Sequence, residues 1–140
     1  MEPDEQVSAL LADIPQNANA LGQAAAPITL EYFADLQCPF CRDFSLGVLP
    51  SIIQRWVRAG TLRVEYRALE TATRDPEVFV AQQAAALAAG KQAKAWHFIE
   101  TFYEQQGPDR CERGHDDQVL GDRFGVIRRG DRRARAEIGR

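Results

Sequence analysis

The chain of 140 residues contains only three cysteines, fewer than a small domain built on a disulfide framework needs. No stretch approaches the ~18 consecutive apolar residues of a membrane-spanning helix. The N-terminal segment, residues 1–27, also lacks the basic and then apolar pattern of an export signal. We therefore expect a soluble chain that is either cytoplasmic or preceded by an export segment upstream of Met1.

Basic residues are scarce before residue 110 and abundant after it. Residues 110–140 hold nine arginines against six acidic residues, although the whole chain has a formal net charge of −3. Phe124 is the only aromatic residue of this segment, and no helical or strand period is sustained in it. We expect a poorly ordered Arg/Gly-rich tail. We do not expect it to bind nucleic acid, because interleaved aromatic residues are missing.

The remaining sequence fits one α/β domain at residues 28–109, preceded by a lead-in at residues 1–27. "ITLEYFA" predicts a buried strand at Ile28–Ala34. Apolar residues then recur every fourth position and predict a helix that begins at Pro39, kinks near Gly47 and Pro50, and ends at Gly60. "TLRVEYRAL" alternates and predicts a second strand. Strand, helix and strand form a βαβ unit with parallel strands.

Two further helices follow and are expected to form a helical hairpin. The first has Asp75 as its N-cap and Pro76 in its first turn, and it closes at Gly90. The second, "KQAKAWHFIETFYEQQGP", stops at Gly107 and Pro108. No proline occurs after Pro108.

Cys38 and Cys41 stand between the first strand and the first helix, in the sequence "LQCPFCRDF". A helix start directs unpaired N–H groups and the positive end of its dipole at Cys38, which favours the reactive thiolate. Cys41, about one turn later, can then attack a mixed disulfide at Cys38. We predict that Cys38 is the exposed nucleophile and Cys41 the more buried resolving thiol, with Pro39 stiffening the turn.

Other interpretations of the pair stay open. A zinc site needs four ligands, and the remaining candidates, His97, Cys111 and His115, lack paired spacing. A structural disulfide would close a very short ring and remove little chain entropy.

Glu31 precedes the pair in the strand and is a candidate carboxylate for moving the proton of Cys41, ahead of Asp35. A plain strand role for Glu31 is the alternative. We expect no metal and no cofactor.

Three segments, "APITLEYFADLQCPFCRDF", "LPSIIQRWVRAGTLRVEYR" and "AALAAGKQAKAWHFIETFYEQQG", resemble the DsbA-like branch of the thioredoxin superfamily, in particular exported thiol-disulfide oxidoreductases with a C-P-[FY]-C motif. The resemblance implies a thioredoxin fold with a helical insertion, Cys38 and Cys41 as the redox pair, and Phe40 within the motif. It also implies thiol-containing protein substrates, a membrane oxidase as partner and a site outside the cytoplasm, in the periplasm or cell envelope. The family's carboxylate lies six residues before the nucleophile, whereas Glu31 lies seven before it.

The second half of the family pattern is missing from this sequence. Relatives continue into further strands introduced by a cis-proline, but no proline follows Pro108 here. We expect an incomplete fold, consistent with a truncated or frameshifted reading frame, whose unpaired hydrophobic sheet edge favours self-association. The alternative function is therefore a weak or inactive thioredoxin-like fragment that serves at most as an interaction module.

Overall fold

A computed structural model describes residues 2–106, and its secondary structure forms one four-stranded sheet with helices packed on it. The elements in chain order are α1 (Pro3–Leu11), β1 (Gln16–Asn17), β2 (Ala20–Leu21), β3 (Ile28–Ala34), α2 (Pro39–Gly47), α3 (Leu49–Ile52), a π-helical turn (Ile53–Val57), β4 (Leu62–Ala68), α4 (Pro76–Gly90) and α5 (Ala95–Gln105).

The sheet has the strand order β1-β2-β4-β3. β3 and β4 are parallel, in a register that runs from Ile28 opposite Leu62 to Ala34 opposite Ala68. The predicted βαβ unit is therefore confirmed. β2 joins the other side of β4 in the antiparallel direction, so β3 forms an edge of the sheet within residues 2–106.

The helical connection between β3 and β4 is broken, as the glycine and proline predict. α2 ends at Gly47, and Pro50 lies in the first turn of α3, where its missing N–H breaks no helical bond. The final turn widens to a π-helix before Gly60, which has a φ of +76° and closes the segment.

The face of this connection that meets the core lies one residue beyond the apolar row read from the sequence. The buried row starts at Cys41 and continues at every fourth residue, with Ser45, Leu49, Ile53 and Val57 all buried. The row read from the sequence is the adjacent one, which contains Phe40, Phe44, Val48, Ile52 and Trp56. Three of its large side chains are exposed: Phe40, Val48 and Trp56. Both rows have the same period, so periodicity alone could not choose between them.

α4 and α5 form the predicted helical hairpin. The Asp75 side chain caps α4 by accepting a hydrogen bond of 2.9 Å from the Glu77 N–H. α5 is more deeply buried, and its Trp96, Ile99 and Tyr103 side chains are fully enclosed in the core.

The segment before Ile28 contributes elements to the same sheet and core. Val7 and Leu11 of α1 are buried, and β1 and β2 form a hairpin that pairs with β4. Gln16 accepts a 3.1 Å hydrogen bond from the Trp96 N–H, one of the free donors at the start of α5. Two-residue strands have no readable period, which is why the sequence predicts only a lead-in here.

Some predictions lie outside the described residues: the tail at residues 110–140, Cys111, His115 and the stop at Pro108. Within residues 2–106, every helix is too short or too polar to cross a membrane. Within the same range, all peptide bonds are trans.

Candidate active site

Cys38 occupies the N-cap of α2, with Pro39 as the first helical residue. Its backbone is extended, with φ −77° and ψ 120°, and its N–H donates to the Asp35 carbonyl at 3.0 Å. Its own carbonyl accepts the first helical bond, from the Arg42 N–H. The side chain is half-buried and caps no backbone group of the helix. The sulfur of Cys38 is thus held at the positive end of the helix dipole and stays available for reaction.

Cys41 lies about one turn further along α2 and packs against the hydrophobic core. Burial is the largest effect on its thiol and raises its pKa to about 11. A hydrogen bond to the Cys38 side chain also favours the protonated form, and the backbone of Asp35 only partly offsets these effects. Cys41 is therefore a protonated thiol at neutral pH, and it is a free thiol like Cys38.

The three tyrosines of the chain all donate hydrogen bonds to backbone carbonyls around the cysteine motif. Tyr32 donates to the Cys41 carbonyl at 2.9 Å, Tyr66 to that of Ala34 at 3.1 Å, and Tyr103 to that of Asp35 at 3.0 Å. Burial raises the pKa of each hydroxyl, that of Tyr32 to about 12. All three stay neutral donors and fix the end of β3 and the first turn of α2.

Asp35, between β3 and the motif, is fully buried and accepts five hydrogen bonds. Oδ1 accepts from the Gln37 N–H and the Thr73 hydroxyl, and Oδ2 accepts from the N–H groups of Thr71, Ala72 and Thr73. Burial alone would raise the pKa of Asp35, but the bonds from Thr73 and the backbone outweigh it and lower that pKa. Asp35 is a structural anion that ties the loop after β4 to the active site.

The predicted supporting residues lie in different surroundings. Pro39 and Phe40 form the first turn of α2, and the Phe40 side chain is 80% exposed beside Cys38. Glu31 lies on the opposite face of β3 from Tyr32 and is 3.4 Å from Arg67 in a solvent-exposed ion pair. The structure therefore does not bring Glu31 to the sulfurs, because neighbouring residues of a strand point to opposite faces.

A buried polar group behind the motif is not predicted from the sequence. Ser45 and Glu100 are both buried, and the Ser45 hydroxyl lies 3.2 Å from that of Tyr32. Tyr32 occupies the position six residues before Cys38 where the family pattern has a carboxylate. The available signal was Glu100 itself, an acidic residue inside the apolar run of α5.

Comparison with known proteins links this geometry to one family. A family model described as thioredoxin matches residues 16–124. "Probable disulfide bond formation protein D" of Bacillus cereus is 26% identical over 101 residues, which cover 72% of this chain and 46% of that protein. The protein of the same name from Bacillus anthracis is 26% identical over 93 residues, covering 66% of this chain and 42% of that protein. The chain thus spans less than half the length of these relatives.

Solved structures share the fold at low sequence identity. BdbD from Bacillus subtilis has a TM-score of 0.63 at 18% identity, covering 83% of this chain and 66% of that chain. α-DsbA1 from Wolbachia pipientis has a TM-score of 0.65 at 16% identity, covering 99% of this chain and 69% of that chain. The predicted thioredoxin-like fold with a helical insertion is confirmed.

Proposed function

The chain belongs to the thioredoxin family, and from that premise we propose that it exchanges disulfides with the thiols of other proteins through Cys38 and Cys41. A half-buried sulfur at the N-cap of α2, with a protonated thiol one turn behind it, is the observation that carries the proposal. Relatives named disulfide bond formation proteins support the same chemistry.

In the oxidising direction, a substrate thiolate attacks the Cys38 sulfur of the Cys38–Cys41 disulfide. A substrate–Cys38 bond forms, the Cys38–Cys41 bond breaks, and the electron pair goes to Cys41, which then takes up a proton. A second substrate thiolate attacks the substrate sulfur of the mixed disulfide. It releases Cys38 as the thiolate, so the substrate loses two electrons and the protein gains them.

Phe40 is the proposed contact for substrates. It follows Cys38 by two residues in the first turn of α2, and its exposed ring offers an apolar surface to an unfolded chain that carries a free thiol. We propose such chains as substrates, the cell envelope as the location and a membrane disulfide oxidase as the partner that restores the disulfide. The family resemblance supports these assignments.

A thiol-oxidation assay with a dithiol peptide tests the activity of the purified protein. We expect turnover by the wild type and none by Cys38→Ser. Cys111→Ser is the matched control, because it removes the one cysteine outside the motif, and it should keep full activity. Equal rates for the wild type and Cys38→Ser would refute the proposal.

The roles of the two sulfurs are tested by trapping. In Cys41→Ser, the Cys38 thiolate should attack a peptide supplied as its disulfide and release one peptide thiolate. The mixed disulfide between Cys38 and the peptide should accumulate, because no resolving thiol is present to release it. Cys38→Ser should trap little peptide. Mass spectrometry of the non-reduced mixtures distinguishes the variants, and trapping mainly by Cys38→Ser would reverse the assignment.

A non-catalytic interaction module is the second candidate function. It is supported by the edge of β3, which is open within residues 2–106. This candidate predicts an intact fold without disulfide exchange, so the same assay separates the two functions.

A further inference from the structure

Glu100 on α5 is a buried carboxyl group that the exchange chemistry above does not use. Its side chain is 1% exposed, and Oε1 has no hydrogen-bond partner among residues 2–106. Burial raises its pKa to about 8, a hydrogen bond from Ser45 partly opposes this, and the nearby charge of Glu104 adds to it. Glu100 is therefore mainly a neutral acid at pH 7, ready to release a proton just above that pH.

A chain of hydroxyl groups runs from Glu100 towards the cysteine motif. Ser45 of α2 is within hydrogen-bonding reach of Glu100, and its hydroxyl lies 3.2 Å from that of Tyr32. The Tyr32 hydroxyl in turn donates to the backbone of Cys41 at 2.9 Å. Each hydroxyl can both donate and accept, which is what passing a proton along the chain requires.

Among residues 2–106, few other groups act on Glu100. Glu104 lies one turn further along α5, while Ser45 faces Glu100 from α2 and Tyr32 interacts with it electrostatically from β3. The buried residues of α1 and α4, the other helices packed on α5, carry no ionisable side chain.

Cys41 needs a proton when its disulfide opens, because its thiolate is buried and strongly basic. We propose that Glu100 is the proton store for Cys41, acting through the hydroxyl groups of Ser45 and Tyr32. This inference rests on the proposed disulfide exchange.

The proton balance of each direction is complete. When a substrate thiolate opens the disulfide, the Tyr32 hydroxyl turns from the Cys41 carbonyl to the Cys41 sulfur and passes its proton to it. Ser45 then replaces the proton of Tyr32, and Glu100 replaces that of Ser45. The products are a Cys41 thiol and a Glu100 carboxylate. When Cys41 attacks a mixed disulfide in the reverse direction, its proton returns to Glu100 by the same route. Glu100 does not contact the sulfurs. It supplies a proton to Cys41 only through Ser45 and Tyr32, and it is therefore a positioning residue.

The test measures the rate at which a small thiol opens the oxidised protein between pH 6 and 10, corrected for ionisation of the attacking thiol. The wild-type rate should show an inflection near pH 8, as Glu100 loses its proton. Glu100→Gln should lose this inflection and be roughly 100-fold slower at pH 7, at the low end of general acid–base effects. Tyr32→Phe should also lose it, because it breaks the hydroxyl chain.

Glu104→Gln is the matched control, since it makes the same change one turn away. It should keep the inflection at a somewhat lower pH, because it removes a charge that adds to the pKa of Glu100. Circular dichroism checks that each variant is folded. An inflection that persists in folded Glu100→Gln, or disappears in Glu104→Gln, overturns the inference while leaving the disulfide exchange intact. A wild type that does not react with thiols, although folded, overturns the proposed function and with it the inference.

Discussion

At the scale of single residues, Asp35 shows how a buried charge can organise an active site without taking part in its chemistry. Three of its five hydrogen bonds come from consecutive N–H groups of the loop after β4, those of Thr71, Ala72 and Thr73. The carboxylate therefore binds the loop rather than the cysteines, although Asp35 lies only three residues before Cys38. This residue was only the second choice for moving the proton of Cys41, and its bonds explain why a structural role fits it better.

Replacing Asp35 with Asn should destabilise the protein by at least about 2 kcal/mol. Both carboxylate oxygens accept hydrogen bonds, so the amide NH₂ faces donors whichever way it turns and leaves them unpaired. Urea unfolding measures the change. Asp43→Asn is the control, since Asp43 is exposed on α2. A loss below about 0.5 kcal/mol, the usual range of surface changes, would contradict the structural role.

The pKa of Asp35 is lowered in the folded protein, so the native state binds a proton at this site less tightly than the unfolded chain. Its contribution to stability is therefore present above the unfolded pKa of about 3.9. It is lost as the pH falls through the lower folded value. In urea unfolding below pH 4, the gap between the wild type and Asp35→Asn should shrink; a constant gap would contradict this sign.

The pKa of Glu100 is shifted in the opposite direction to that of Asp35, so its effect on stability has the opposite dependence on pH. Burial raises its pKa from the ordinary value of 4.5 to about 8, so the folded state holds the proton more tightly. Wild-type stability should fall relative to Glu100→Gln as the pH rises from 4.5 to 8, with each pKa unit corresponding to about 1.4 kcal/mol. Unfolding at pH 5 and pH 9 checks this. Glu104→Gln should keep a fall in stability between these pH values, but a smaller one, because it removes a charge that adds to the pKa of Glu100. Parallel pH profiles for the wild type and Glu100→Gln would show that Glu100 is not a buried acid.

At the scale of elements, the N-terminus of α2 places Cys38 at the positive end of the helix dipole. The Phe40 side chain, in the first turn of α2, can donate no hydrogen bond to the Cys38 sulfur. We expect a reduction potential between those of thioredoxin, about −270 mV, and DsbA, about −120 mV. Equilibration with glutathione buffers measures it. We expect oxidation of substrates rather than their reduction, and a value at the thioredoxin end would overturn this expectation.

The elements that the sequence predicts well are those long enough to show a clear hydrophobic period, or those that have specific capping residues. β3, β4 and the two helices of the hairpin are in this class, because Asp75, Gly90 and alternating apolar residues act locally. The β1–β2 hairpin, the choice of buried row in α2 and the placement of Glu100 depend on contacts between distant segments. The Tyr32–Ser45–Glu100 group joins a strand and two helices, so no local pattern could have predicted it.

At the scale of the whole molecule, one face and one edge of the sheet are open within residues 2–106. The N–H of Ile28 bonds to Thr61 on the β4 side. Alternate residues, Thr29, Glu31 and Phe33, therefore direct their backbone groups to the free edge. The outer face also carries charged side chains from both strands, which form ion pairs between Arg67 and Glu31 and between Arg63 and Glu65. These charges keep the outer face polar, so the backbone edge and Phe33 are the features that favour association.

Phe33 offers a way to test association through this edge. Its side chain is 55% exposed on the edge strand, and a lysine there should weaken edge-to-edge pairing by charge repulsion and by its affinity for water. Light scattering across a concentration series should show wild-type dimers or larger species and a more monomeric Phe33→Lys. Phe40→Lys is the matched control, because it also replaces an exposed phenylalanine, but at the active-site helix. If Phe40→Lys reduces association as much as Phe33→Lys, the contact is a general apolar one and pairing along the β3 edge is excluded as its cause.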